Sequence, residues 1–130
     1  LHQCSSEELV NAYDNTIAYT DFVVAQAIGI LKRLQGYSTS LIYVSDHGES
    51  LGEYNLYLHG TPWSIAPDVQ KEIPLIVWDS GAAHSSADTT STVEGTFSQA
   101  NVFHSVMGAF AMRSDIYQPA LNLFSPESHE

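Results

Sequence analysis

Apolar positions in the first third of the chain recur with the period of a helix. Leu9, Tyr13, Ile17, Val24, Ile28 and Leu31 fall three, four or seven residues apart, a spacing that gathers side chains on one helical face. Just ahead of them, Ser5-Ser6-Glu7-Glu8 offers an N-cap hydroxyl with a glutamate three residues on, the pattern of a capping box. Gly36 stands where such a helix would end. The pattern then changes. Leu41-Ile42-Tyr43-Val44 is a short unbroken apolar run, which predicts a strand buried on both faces, as in a parallel sheet. A long helix delivering the chain to a buried strand is α/β construction.

From Asp46 to Glu72 neither period persists. Glycines at 48, 52 and 60 and prolines at 62 and 67 interrupt any regular element, and an irregular segment of this length inside a domain is usually functional. Ile73 to Trp78 predicts a second apolar strand, with Pro74 tolerated near its start. Ser80 to Gly95, rich in Ser, Thr, Gly and Ala, reads as a surface loop. Ser98 is placed to cap a last helix running through Val102, Phe103, Val106, Met107 and Phe110, and Pro119 and Pro126 mark an irregular tail. Two such strands and two helices do not close a sheet by themselves, so the chain is expected to complete a larger fold.

Composition sharpens this picture in three ways. A 130-residue chain with 44% hydrophobic and 15% charged residues has the make-up of a globular protein. Four Lys+Arg against fifteen Asp+Glu, a formal charge of -11, argue against nucleic acid as a partner; the carboxylates either attract cations or simply solvate the surface. The single cysteine, Cys4, can form no disulfide within the chain. There is no run of about eighteen apolar residues and no signal-peptide pattern. Beginning at Leu1, the chain reads as a processed or excised C-terminal piece.

Candidate chemistry lies at the end of the first predicted strand. Tyr43-Val44-Ser45-Asp46-His47-Gly48-Glu49 puts a carboxylate and an imidazole where open α/β sheets place their ligands. Asp oxygen and His nitrogen are both ordinary zinc ligands, and Gly48 is expected to let the backbone turn sharply so that neighbouring side chains converge. His59 follows in Leu58-His59-Gly60-Thr61-Pro62, suited to a second ion or a substrate oxygen. An Asp-His pair at a strand end can also be a structural hydrogen-bonded pair, and an isolated histidine a surface one; their shared loop favours a site.

The run Val44-Ser45-Asp46-His47-Gly48-Glu49-Ser50-Leu51-Gly52-Glu53, followed by Leu56-Tyr57-Leu58-His59-Gly60-Thr61-Pro62 and Ile65-Ala66-Pro67, closely resembles the bacterial phosphoethanolamine transferases, sulfatase-fold members of the alkaline phosphatase superfamily. The resemblance extends upstream through Asn11-Ala12-Tyr13-Asp14-Asn15-Thr16-Ile17 and downstream through Ile73-Pro74-Leu75 and Phe103-His104-Ser105. It implies the C-terminal portion of an alkaline phosphatase/sulfatase-like fold, a central sheet flanked by helices, with residues 1–130 forming the C-terminal segment of a periplasmic catalytic domain. The membrane domain and the upstream part of the catalytic domain would lie outside this chain. By the same resemblance Asp46 and His47 match zinc ligands, and His59 matches a histidine assigned either to substrate binding or to an additional zinc. The threonine nucleophile would lie upstream, so no catalytic residue proper is expected here. Cys4 resembles one half of a periplasmic disulfide. The implied reaction moves phosphoethanolamine from phosphatidylethanolamine to lipid A or lipopolysaccharide through a covalent threonine intermediate, at the periplasmic face of the bacterial inner membrane.

Other residues carry blander readings. Glu49 is either a group orienting a ligand or a solvated loop carboxylate. Asn11, Asp14 and Asn15 share a helical face and suit packing or hydrogen bonding, His104 suits a satisfied core histidine, and Trp63 and Trp78 suit core or rim packing. Gln99 and Ala100 depart from a more polar run in the family. Rival readings are a sulfatase, phosphatase or phosphoglycerol transferase of the same superfamily and, from another class, a non-catalytic metal-binding module.

Overall fold

In the computed structural model, residues 4–81 and 97–124 are described. The chain divides into two compact units, Leu1–Gly81 and Ala82–Glu130, and each is taken by itself.

The first unit opens with helix α1, Ser6–Leu31. Its start is the predicted capping box. Ser5 is extended, with φ -72° and ψ 160°, and its Oγ accepts the Glu8 N–H at 3.2 Å while the Glu8 carboxylate accepts the Ser5 N–H at 2.8 Å. These bonds, that to the Ser5 N–H foremost and that to its hydroxyl second, hold the Glu8 carboxyl below its ordinary range. No residue of α1 is buried among the described residues; of its apolar stripe Leu9, Tyr13, Val24, Ile28 and Leu31 are half-buried and Ile17 is exposed, as are Phe22, Val23 and Ile30 outside the stripe. Asn11, Asp14 and Asn15 are exposed as well. The chain leaves the helix at Lys32 and turns at Gly36, whose φ is +81°.

Strand β1, Ser40–Val44, pairs with strand β4, Leu75–Asp79, in the register Ser40↔Asp79 to Val44↔Leu75. The pair is antiparallel, which corrects the parallel arrangement expected from the apolar runs. Those runs report burial and carry no direction. A parallel return needs a crossover, usually a helix, whereas 45–74 contains only the two-residue strands β2, Ser50–Leu51, and β3, Tyr57–Leu58, and short 3-10 turns at Glu53–Asn55 and Asp68–Gln70. Nor are both faces covered among the described residues, since Ile76 and Val77 are 41% and 39% exposed. Pro74 has no N–H to give the ladder and precedes the strand; its carbonyl accepts the Ser45 N–H at 3.4 Å. β2 and β3 form a small antiparallel hairpin, Ser50↔Leu58 and Leu51↔Tyr57.

In the second unit, α2 spans Ala100–Ala109. Ser98 does not cap it, contrary to expectation. Gln99 is the N-cap residue, and the buried Asn101 reaches back instead, its Oδ1 accepting the Ser98 N–H at 2.8 Å. Asn101 Nδ2 also donates to the Leu121 carbonyl at 3.0 Å, and Ser105 Oγ accepts the Leu123 N–H at 2.8 Å, so the segment after the helix folds back onto it. His104 is the satisfied core histidine expected: it is buried and its Nδ1 accepts the Gln118 N–H at 3.1 Å. The expected loop at 80–95 lies outside the described residues beyond Gly81.

Buried apolar side chains among the described residues are few, namely Ala66, Met107 and Leu123. A core this thin agrees with strands and helices built to pack against further structure.

Candidate metal centre

Where β1 ends, the backbone bends through Ser45-Asp46-His47-Gly48-Glu49 into β2. Local bonds fix the bend: Asp46 Oδ1 accepts the His47 N–H at 3.1 Å, and Ser45 Oγ donates to the His47 carbonyl at 2.8 Å. Gly48 is required here for a different reason from the one its sequence position suggests. It has no left-handed φ; instead a Cβ at this position would lie 1.9 Å from the Val69 carbonyl oxygen. Close approach of the 3-10 turn at Asp68–Gln70, sealed by the Gly48 N–H donating to the Gln70 carbonyl at 3.1 Å, excludes any side chain.

His59 is brought in by the hairpin. The loop bearing it is built from left-handed backbone: φ is +53° at Tyr54, +61° at Asn55, +66° at Leu58 and +96° at Gly60. Three of these are non-glycine residues in a conformation that costs each about 1–2 kcal/mol, and such strain is characteristic of backbone that must present a side chain accurately.

The two histidines stack, with ring centroids 3.7 Å apart at 31°. His47 Nδ1 lies 2.9 Å from the Gly48 carbonyl. A carbonyl only accepts, so Nδ1 carries the hydrogen and Nε2 keeps its lone pair. That Nε2 lies 3.7 Å from Asp46 Oδ2, and both atoms are of the type that would hold a zinc ion. His59 Nδ1 lies 3.0 Å from Glu49 Oε2, and the same oxygen is 3.8 Å from His47 Nδ1. One ligand-type atom of each of His47, Glu49 and His59 lies within 4.8 Å of the other two, and each imidazole would bind a metal there through the nitrogen that carries no hydrogen. Nitrogen and carboxylate donors of this kind suit zinc, and three protein ligands leave an open position. The donor set therefore fits a divalent metal, either between Asp46 and His47 or at the His47-Glu49-His59 triple.

Exposure separates the two acids. The Asp46 side chain is 88% exposed, whereas that of Glu49 is 18% exposed. Of the two sequence readings of Glu49, the structure supports the orienting group over the solvated carboxylate. Beside it, a groove of about 310 Å³ runs between α1 and the hairpin, with Tyr13 and Tyr57 on its walls and Glu49 on its lining. Trp63 is exposed, with the Lys71 ammonium 5.7 Å from its ring centroid, and Trp78 lies half-buried in β4. Sequence reasoning missed Gln70, which is buried and bonded to both arms of the loop; no local pattern announces it.

Comparison with known proteins bears on this geometry. The sulfatase family model matches residues 2–112. Phosphoethanolamine transferase EptA of Salmonella typhimurium is 41% identical over 97% of this chain and 24% of its own length, and its Helicobacter pylori counterpart is 44% identical over 95% and 24%. Among solved structures, the C-terminal periplasmic domain of phosphoethanolamine transferase EptC from Campylobacter jejuni superposes with a TM-score of 0.83 at 39% identity, covering 97% of this chain and 41% of that one. The chain spans about a quarter of the length of the curated relatives it matches. No helix among the described residues is long and apolar enough to cross a membrane.

Proposed function

The chain belongs to the sulfatase family, and from that premise we propose that it carries one half of the metal site of a phosphoethanolamine transferase. The observation that carries this reading is that likeness to transferases runs across almost the whole chain, taking in the loop that stacks His47 on His59. Asp46 and His47 hold a zinc ion. His59 meets the phosphoethanolamine group or helps to hold a second zinc. Residues 1–130 act as the C-terminal segment of a sulfatase-like catalytic domain, and the acyl-lipid side of the reaction depends on the rest of that protein.

In this reading phosphatidylethanolamine is the donor and lipid A or lipopolysaccharide the acceptor. Transfer goes through a covalent intermediate on a threonine outside these residues, at the periplasmic face of the inner membrane. The metal, when bound, lowers the pKa of an attacking hydroxyl and offsets charge on the phosphoryl oxygens. The chain's own residues do the rest: the Gly48 carbonyl and the Glu49 carboxylate hold the two imidazoles by Nδ1, and His59 Nε2 is left to hydrogen-bond the transferred group or pass a proton. The 130 residues alone bind metal without turning over.

The test is transfer from phosphatidylethanolamine vesicles to lipid A by the complete protein, measured with its zinc content by elemental analysis. Loss of both in His47→Ala supports the reading. Full transfer by that variant, or turnover by the 130 residues alone, overturns it.

A further inference from the structure

We propose that Gln70 is the positioning residue of this site: by its side-chain amide and backbone carbonyl it clamps the segment bearing His47 and Glu49 to the segment bearing His59, and so sets the stacking of the two imidazoles. The proposal deepens the reading of the site given above and rests on it.

Gln70 ends the 3-10 turn Asp68–Gln70 and is 7% exposed. Its backbone carbonyl accepts the Gly48 N–H at 3.1 Å. Its side-chain Nε2 donates to Ser50 Oγ at 2.8 Å, and its Oε1 accepts the Thr61 N–H at 3.3 Å. Ser50 is 1% exposed. One residue therefore bonds on either side of Glu49, at Gly48 and Ser50, and also two positions after His59. Each end of the amide has one use, donor to one arm and acceptor to the other, which an amide can satisfy simultaneously and an apolar side chain cannot.

The rest of the loop has little else to hold its spacing. The hairpin between the arms is two residues per strand, and its turn is made of left-handed backbone. The direct bond between the arms, His59 to Glu49, is exposed, whereas the two bonds by which the Gln70 side chain bridges them are buried at Ser50 and part-buried at Thr61. Buried bonds are shielded from competing water, so the clamp resists opening more than the exposed contact does. Gln70 reaches neither imidazole; it acts through the arms that carry them.

Gln70→Met retains length and volume and removes both hydrogen-bonding ends. Ser50→Ala removes one anchor only. In the complete protein, Gln70→Met is expected to lower kcat by about 10–100-fold, the range seen for groups that hold ligands in place, with KM for phosphatidylethanolamine little changed, and Ser50→Ala to give a smaller loss of the same kind. Independently of activity, histidine nitrogen NMR of the metal-free protein should show His59 as the Nδ1–H tautomer and a tautomer mixture in Gln70→Met. A folded Gln70→Met with native kcat and native His59 tautomer overturns the proposal. Should Gln70→Met not fold, a native kcat and tautomer in Ser50→Ala overturns it. Absence of transfer and zinc in the unmutated protein would sink the functional reading, while the tautomer comparison would still decide the role of Gln70.

Discussion

A single oxygen, Glu49 Oε2, lies 3.0 Å from Nδ1 of His59. The Glu49 side chain is the more buried partner, 18% exposed against 52% for His59, so the carboxylate is the fixed point and the imidazole the group being held. Glu49→Ala should therefore free the His59 ring and weaken binding of a zinc that His59 helps to hold by about 10–100-fold. A zinc-competition titration with a chromophoric chelator measures this; native affinity in the variant would return Glu49 to the status of a loop carboxylate.

Asp46 and His47 should behave differently from His59. Replacing either Asp46 or His47 by Ala is expected to remove zinc and transfer together, because Asp46 Oδ2 and His47 Nε2 face each other across 3.7 Å. His59→Ala should impair transfer while the first zinc stays bound. Chelation followed by zinc return should restore the unmutated protein and leave His47→Ala inactive. Elemental analysis beside the transfer assay separates the outcomes, and loss of all zinc in His59→Ala would refute this division of roles.

Two glycines of the loop should fail for different reasons. Gly60→Ala has open space around it but a φ of +96°, so its cost is conformational, about 1–2 kcal/mol. Gly48→Ala drives a Cβ to 1.9 Å from a backbone oxygen, and a backbone clash cannot be relieved by a rotamer change; about 3 kcal/mol, the upper end of the usual overpacking cost, is expected. Chemical denaturation of the two variants measures the order, and equal costs would contradict the packing of Val69 on Gly48.

The capping box predicts a pH dependence. The Ser5 N–H first, and the Ser5 hydroxyl second, keep the Glu8 carboxyl below its ordinary range, so the folded state binds a proton less readily than the unfolded one. The stabilisation is then complete above the ordinary glutamate range and is lost as the pH falls through the depressed folded value. Glu53 has the same sign, from its own N–H first and that of Leu51 second. Thermal melts should show Glu8→Gln less stable than the parent at neutral pH, with the gap closing in acid. Ser5→Ala should cost about 1 kcal/mol through the lost cap, and a gap that widened in acid would reverse the assignment.

Much of the frame was legible because its causes are local. The Ser5 and Glu8 box needs residues three apart, the apolar run Leu41–Val44 needs only its neighbours, and the motif from Asp46 to Gly48 is contiguous. Ser98 misled because a serine before a helix is only an opportunity for a cap, and the Asn101 side chain took the bond from the other direction. Strand direction was illegible for a similar reason: an apolar run records that a strand is to be covered, and the path of 45–74 decides which way its partner runs.

By itself the sequence determined the long capped helix, the two apolar strands, the sulfatase-type motif and the placing of Asp46, His47 and His59 on one loop. Only the tertiary structure decided that β1 and β4 run antiparallel, that Gly48 is a glycine because Val69 comes so close, and that Glu49 is the acid between the histidines. It alone brought in Gln70, whose bond to Ser50 spans 20 positions. Capping and periodicity act within a few residues and leave a mark in the order of amino acids. Close approach and burial join residues far apart in the chain, so no local pattern records them.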